Sequence, residues 1–260
     1  MTDLPVQRFH GRDGVQLAWR TVGSGRPLIL LHGLMGSGAH LASEGLVTAL
    51  AGHGYQVILP DLRGHGDSGK PHDPACYPRD VLIGDGLALL EHLRLDDYDL
   101  AGYSLGGKLV LRLLARGARP AHAVAGGQGL DALDAESDRT DGYRRVLAAV
   151  ADGSALPAGS PEEAMAGWLR ESGIDARAIG LVLDTFVATP PDALRSVPTP
   201  TLVVVGDRDS RGASVSSLAD LLPNGRLASV PGDHFTAVNA PEFTTAVLQF
   251  LLGQRSAGPV

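Results

Sequence analysis

Cysteine is almost absent from this sequence, which contains one, Cys76. A single cysteine cannot form an intramolecular disulfide. A chain without disulfides fits a reducing compartment, so we expect a cytoplasmic protein.

Positively charged residues are also few: the sequence has 22 Lys and Arg residues and 29 Asp and Glu residues, which gives a formal net charge of −7. A nucleic-acid-binding protein needs a basic face, and no run of five or more like charges is present. We therefore expect a small-molecule substrate and no nucleic-acid partner.

Long apolar stretches are missing as well. No run approaches the ~20 residues that a membrane-spanning helix requires. The segment Met1 to His10 lacks the basic and apolar regions of a secretory signal. We expect neither a membrane span nor a signal peptide, and no internal repeat is visible.

Short apolar runs alternate with helix-period segments along most of the 260 residues. Segments 6–10 and 16–21 flank a glycine-bearing turn, which predicts an antiparallel hairpin. Further strands are predicted at 27–31, 56–59, 98–101, 121–125, 201–205 and 227–230, and helices at 41–51, 79–93, 105–114 and 241–252. This pattern predicts an α/β fold with a doubly wound, mostly parallel eight-stranded sheet.

The strand pattern is interrupted between residues 130 and 193. Three sets of apolar residues at helical spacing occupy this segment, at 143–150, 165–169 and 179–187. We predict an α/β core formed by residues 1–129 and 194–260, with residues 130–193 inserted as a helical lid.

The motif Gly102-x-Ser104-x-Gly106 lies between a predicted strand and a predicted helix. This is the context in which G-x-S-x-G forms a nucleophile elbow, because a tight turn with flanking glycines exposes the serine hydroxyl. The backbone N–H of Leu105 then lies at a helix N-terminus, where an oxyanion is stabilised.

A serine nucleophile needs a base, and the sequence offers nine histidines. His234 lies in the loop between the last predicted strand and the last predicted helix. His32 and His65 lie in loops at the same edge of the sheet and compete with it. We expect these two to shape their loops instead.

The acid that orients the base should also follow a strand. Asp207 and Asp209 follow the strand at 201–205, and Asp131 follows the strand at 121–125. We favour Asp209, because three residues past Gly206 leave room for the chain to turn back across the strand ends. Asp207 is expected to cap the turn or to pair with Arg208, and Asp131 remains an alternative.

Together these motifs resemble the α/β-hydrolase fold family, in its alpha/beta-hydrolase-1 type with a helical lid. The resemblance covers nearly the whole core and keeps the family's chain order of Ser, Asp and His. One departure is an acid, Asp233, directly before the histidine. The matching motifs are His32-Gly33, Asp61-x-Arg63-Gly64-His65-Gly66-x-Ser68, Gly102-Tyr103-Ser104-Leu105-Gly106-Gly107, Gly206-x-x-Asp209 and His234.

The resemblance implies a role for each of these residues. Ser104 is the nucleophile, His234 the general base and Asp209 the orienting acid. The backbone N–H groups of Leu34 and Leu105 form the oxyanion hole. The role of Leu34 depends on the resemblance alone. No metal or other cofactor is implied.

The expected activity is that of a serine hydrolase which cleaves a small carboxylic ester through an acyl-enzyme. Carbon–carbon bond hydrolases, lactonases and cofactor-free perhydrolases use the same triad and remain alternatives. A non-catalytic small-molecule-binding protein on the same fold is an alternative of another class. We expect the substrate to carry an apolar group, in a pocket lined by Met35, Tyr103, Trp168 and Phe235.

Overall fold

The computed structural model describes residues 4–135, 138–210 and 214–253. At its centre lies an eight-stranded sheet with the strand order β1-β2-β4-β3-β5-β6-β7-β8. The strands are β1 (Gln7–His10), β2 (Gln16–Gly23), β3 (Arg26–Leu31), β4 (Tyr55–Asp61), β5 (Asp99–Tyr103), β6 (His122–Gly126), β7 (Thr201–Gly206) and β8 (Gly225–Val230).

The direction of the strands confirms the predicted sheet. Strand β2 runs antiparallel to both β1 and β4, and every other neighbouring pair is parallel. Since parallel strands end at the same edge, the loops that follow β3 to β8 converge there. The predicted motifs all lie in those loops.

Helices cover both faces of this sheet. Successive strand residues point to opposite faces, and both faces carry apolar side chains that must be buried. In β5, Leu100 joins the core on one face and Ala101 joins the core on the other. One face carries α3 (Val81–Leu93), α4 (Leu105–Ala115) and α9 (Val215–Leu221), and the other carries α2 (Gly45–Gly52) and α10 (Pro241–Gly253).

The single helix predicted at 41–51 is wrong, since a short α1 (Gly38–Leu41) precedes α2 as a separate helix. The Ser37 side chain caps α1 by accepting the N–H of His40. The hydroxyl and N–H of Ser43 both donate to the carbonyl of His40, at 2.7 and 3.1 Å. They occupy the acceptor that Glu44 needs for an unbroken helix, so the helix ends there.

Between β6 and β7 the chain forms α5 (Asp138–Asp152), α6 (Pro161–Ser172), α7 (Ala176–Leu183) and α8 (Pro191–Arg195). The first three share an apolar cluster of their own, which includes Leu147, Leu169 and Ile179. Helix α7 ends before Phe186, earlier than the periodicity predicts. Within the described ranges, no helix has the length and apolar character needed to cross a bilayer.

Candidate active site

Ser104 lies in the turn from β5 into α4, with a backbone φ of 55° and ψ of −120°. A positive φ is strained for a residue with a side chain, and the surrounding hydrogen bonds hold it in place. The N–H of Ser104 donates to Gly126 O at 2.9 Å, and its carbonyl accepts from Lys108 N at 3.0 Å. The Gln128 amide also donates to that carbonyl.

The two glycines of the motif are required by close backbone contacts. A Cβ on Gly102 would lie 2.4 Å from the carbonyl carbon of Gly106, and a Cβ on Gly106 would lie 2.1 Å from Leu31 O. The turn therefore brings the start of α4 against the ends of β3 and β5, which presents the serine side chain above the sheet.

The structure brings Ser104, His234 and Asp209 into one hydrogen-bonded chain. His234 Nε2 lies 2.9 Å from Ser104 Oγ, and His234 Nδ1 lies 2.7 Å from Asp209 Oδ2. A carboxylate only accepts, so Nδ1–H donates to Asp209 and Nε2 is left to accept the serine proton. The Asp209 carboxylate is fully buried, and the imidazole is 11% exposed.

The other candidate acids lie elsewhere. Asp207 lies 3.5 Å from Arg208, as the second of its predicted alternatives requires, and it accepts the N–H of Gly232 in the loop after β8 at 2.9 Å. Asp131 is exposed and accepts from the Ser214 hydroxyl at 3.3 Å. Of the three carboxylates, it is Asp209 that bonds to the imidazole.

Asp233 shapes the loop that carries the histidine. Its Oδ1 accepts from the N–H of Phe235 and the N–H of Thr236, both at 2.9 Å, and from the Thr236 hydroxyl at 2.8 Å. These bonds lower the pKa of Asp233, so it remains ionised. On the other side of the loop, the Tyr103 hydroxyl donates to the His234 carbonyl at 2.8 Å.

The loop after β3 places Gly33 and Leu34 beside Ser104, since a Cβ on Gly33 would lie 3.6 Å from Ser104 Cβ. The Gly33 carbonyl accepts from His32 Nδ1 at 2.8 Å and from Gly36 N at 2.9 Å. In a trans peptide the N–H points opposite to the C=O. Fixing the Gly33 carbonyl therefore fixes the direction of the Leu34 N–H.

His32 is suited to this task because it is buried and neutral. Burial, together with the nearby His65 ring, lowers the pKa of His32 to about 3. Its Nε2 accepts the N–H of Leu62 at 3.0 Å, which leaves the proton on Nδ1 facing Gly33.

His65 holds the next peptide of the same loop. Its Nε2 lies 2.7 Å from Leu34 O and its Nδ1 lies 2.9 Å from Arg63 O. The expectation that both histidines shape loops is confirmed. The sequence did not indicate that His65 holds the loop carrying Leu34, because the two residues are 31 positions apart in the chain.

A cavity of about 900 Å³ opens above Ser104, and apolar side chains dominate its lining. All four residues predicted for the pocket line it. Tyr103 and Met35 lie inside, while Trp168 and Phe235 are 50% and 70% exposed at the rim. Met165 and Ile179 from the α5–α7 cluster complete the outer wall.

Residues 26–144 match the family described as alpha/beta hydrolase fold. A non-heme haloperoxidase of Rhodococcus erythropolis is 30% identical over 92% of this chain and 97% of its own length. A protein of Mycobacterium phage D29 named as a non-heme haloperoxidase is 38% identical, over 46% of this chain and 41% of its own length. A bromoperoxidase structure from Bacillus anthracis has a TM-score of 0.71 at 26% identity, covering 95% of this chain and all of that one.

Proposed function

Since this chain belongs to the alpha/beta hydrolase fold family, we propose that it is a serine hydrolase that cleaves a small carboxylic ester through an acyl-enzyme. The observation that carries the proposal is the chain of contacts from Asp209 through His234 to Ser104, which lies at the floor of a largely apolar cavity. This is the arrangement that a serine hydroxyl needs to become nucleophilic.

In acylation, Ser104 Oγ attacks the ester carbonyl carbon while His234 Nε2 takes its proton. Asp209 stabilises the imidazolium that forms, because its carboxylate accepts from Nδ1–H at 2.7 Å. The carbonyl oxygen becomes an oxyanion, which accepts from the N–H groups of Leu105 and Leu34.

The tetrahedral intermediate then collapses, and His234 donates the proton to the departing alkoxide. In deacylation, His234 removes a proton from water as the water oxygen attacks the acyl carbon. The products are a carboxylic acid and an alcohol, and Ser104 regains its proton. The helices of residues 130–193 act as a lid, whose apolar side chains exclude water from this reaction.

Intact-mass labelling with a fluorophosphonate tests the proposal. We expect one adduct on the wild-type chain and none on Ser104→Ala. The matched control is Ser172→Ala, because Ser172 also lines the cavity while its hydroxyl donates to Leu169 O. With p-nitrophenyl acetate, Ser104→Ala should lower kcat about 10⁴-fold or more.

Absence of an adduct on folded wild-type chain, together with ester turnover that does not depend on Ser104, would contradict the proposal. In that case the same fold acting as a non-catalytic binding protein would become the better interpretation.

The haloperoxidase names of the relatives favour one second candidate, a cofactor-free perhydrolase. Here hydrogen peroxide replaces water in attacking the acyl-enzyme, which releases a peracid, and the peracid oxidises a halide to hypohalite while returning to the acid. Bromination of a dye in acetate buffer with peroxide and bromide, compared between wild type and Ser104→Ala, tests it.

A further inference from the structure

Tyr103, the residue directly before Ser104, is held between the backbone at the end of β6 and a ring of α10. A Cβ on Gly126 would lie 2.6 Å from Tyr103 Cδ2, and a Cβ on Gly127 would lie 2.9 Å from Tyr103 Cζ. The ring of Phe243 meets the phenol ring edge-on, with 5.5 Å between the ring centroids. The phenol ring therefore packs directly against glycine backbone, which leaves it little freedom to move.

From this position the phenol hydroxyl reaches the backbone of His234. The hydroxyl donates to the carbonyl of His234 at 2.8 Å. The N–H of the same peptide group, which belongs to Phe235, donates to Asp233 Oδ1 at 2.9 Å. The C=O and N–H of a trans peptide point in opposite directions, so these two bonds hold the peptide that follows the imidazole from both sides.

The Tyr103 ring also packs on the imidazole of His234. The two ring centroids are 5.3 Å apart, and the ring planes differ by 31°. Gly127 approaches the imidazole as well, since a Cβ at that position would lie 3.0 Å from His234 Cε1. The residue before the proposed nucleophile thus contacts both the backbone and the ring of the proposed base.

Two hydrogen bonds of different kinds join the turn at Ser104 to His234. The first connects Ser104 Oγ with His234 Nε2 at 2.9 Å. In an acyl-enzyme that oxygen is esterified, so it has no proton to donate to Nε2. The second, from the Tyr103 hydroxyl to the His234 carbonyl, involves no reacting atom and can persist through both steps.

We propose that Tyr103 is a positioning residue for the base, and that its hydroxyl acts chiefly in deacylation. The inference rests on the proposed function. In acylation the Ser104 hydroxyl itself helps to align the imidazole. In deacylation that contact is gone, and Nε2 must still be in place to take a proton from the attacking water. The Tyr103 hydroxyl then keeps His234 aligned.

Pre-steady-state cleavage of p-nitrophenyl acetate by Tyr103→Phe tests the inference, because this change removes the hydroxyl and keeps the ring. The burst of p-nitrophenol reports acylation, and the steady rate that follows reports deacylation. We expect the deacylation rate constant to fall about three- to ten-fold, while the acylation rate constant stays within about two-fold of the wild type. In the steady state kcat and KM should then fall together, leaving kcat/KM unchanged. A loss of folded protein would lower only the size of the burst.

Tyr98→Phe is the matched control. Tyr98 directly precedes β5 and is buried, and it lies roughly 17 Å from Tyr103 along the strand. This variant also removes a phenol hydroxyl from the interior, but both rate constants should stay within about two-fold of the wild type.

A second pair of variants tests the same peptide from its other side, and it decides the question if Tyr103→Phe does not fold. Asp233→Ala removes the acceptor of the Phe235 N–H and should also lower the deacylation rate constant more than the acylation rate constant. Asp233→Asn keeps an oxygen acceptor at that place and should restore the deacylation rate constant.

A spectroscopic measurement separates this inference from the proposed function. In Ser104→Ala the hydroxyl that faces Nε2 is absent, as its proton is in the acyl-enzyme. With nitrogen-15-labelled histidine, His234 in this variant should show one tautomer, protonated on Nδ1, which lies 2.7 Å from Asp209 Oδ2. Adding Tyr103→Phe should produce a mixture of tautomers, and the signal is identified by its loss in His234→Gln.

If ester cleavage proves independent of Ser104 but the tautomer mixture appears, the proposed function fails and the positioning role of Tyr103 stands. The inference would be overturned by an unchanged deacylation rate constant in Tyr103→Phe, or by an equal fall of both rate constants. A single tautomer in the double variant would overturn it as well.

Discussion

The two hydrogen bonds of His32 can be removed one at a time, which makes its role in positioning Leu34 measurable. In His32→Asn, the amide NH₂ takes the place of Nδ1 and can still donate to Gly33 O. In His32→Gln, the amide oxygen takes the place of Nε2 and can still accept from the Leu62 N–H. Each variant keeps one of the contacts, which measure 2.8 and 3.0 Å in the wild type.

The two variants should therefore fail in different ways. His32→Gln leaves the Gly33 carbonyl with one donor, Gly36 N. Complete loss of an oxyanion donor lowers kcat by about 10²–10³-fold, and a donor that has become loosely oriented should lower it by about ten-fold. His32→Asn leaves the buried Leu62 N–H unpaired, which should reduce the free energy of unfolding by about 1–3 kcal/mol while kcat stays near the wild-type value.

Steady-state cleavage of p-nitrophenyl acetate and urea unfolding measure these two effects separately. The KM should change little in His32→Gln, because the lost orientation acts on the transition state. If His32→Gln retains full kcat, or if both variants lose kcat equally, His32 does not act through the Gly33–Leu34 peptide.

Three further outcomes follow from contacts in the structure. Asp209→Asn should lower kcat by about 10⁴-fold in ester cleavage, whereas Asp131→Asn should change it less than about three-fold; the reverse ranking would move the acid role to Asp131. Gly106→Ala should lower the free energy of unfolding by about 3 kcal/mol or more, because the alanine Cβ would lie 2.1 Å from Leu31 O. The measurement is the urea midpoint, and an unchanged midpoint would mean that the turn at Ser104 relaxes easily. Burial opposes ionisation of Asp99, but hydrogen bonds from His122 and Arg26 outweigh it and lower the pKa of Asp99 below 3.8. Its contribution to the free energy of unfolding is therefore present above pH 3.8 and is lost as the pH falls. In Asp99→Asn the free energy of unfolding should depend less on pH in this acid range, and an unchanged slope would contradict this.

Much of the fold could be predicted because its signals are local. Continuous apolar runs such as 27–31 and 201–205 are buried strands in the structure, within one residue of the predicted bounds. The short helices were harder. Helix α9 has only seven residues, too few for its apolar positions Val215, Leu218 and Ala219 to indicate a helix by themselves, and α1 ends where Ser43 donates two hydrogen bonds to His40 O.

The candidate site also contains residues that the sequence predicts and residues that it does not. Ser104, His234 and Asp209 could be predicted because each follows a strand, and parallel strands end at one edge. The positioning roles of Tyr103, His32 and Gln128 could not be predicted, because each side chain donates to a backbone carbonyl and no sequence pattern indicates such a contact.

The chain leaves the sheet at the end of β6 and returns to it at β7, and these two strands are direct neighbours in parallel register. The segment between them, which contains α5 to α8, therefore forms one crossover connection, from the carboxyl end of β6 to the amino end of the neighbouring β7. Ser104 follows β5, while Asp209 and His234 follow β7 and β8, so the three residues of the proposed triad lie outside the segment that we propose as a lid. A change in the length or side chains of this segment therefore leaves the register of every strand unchanged.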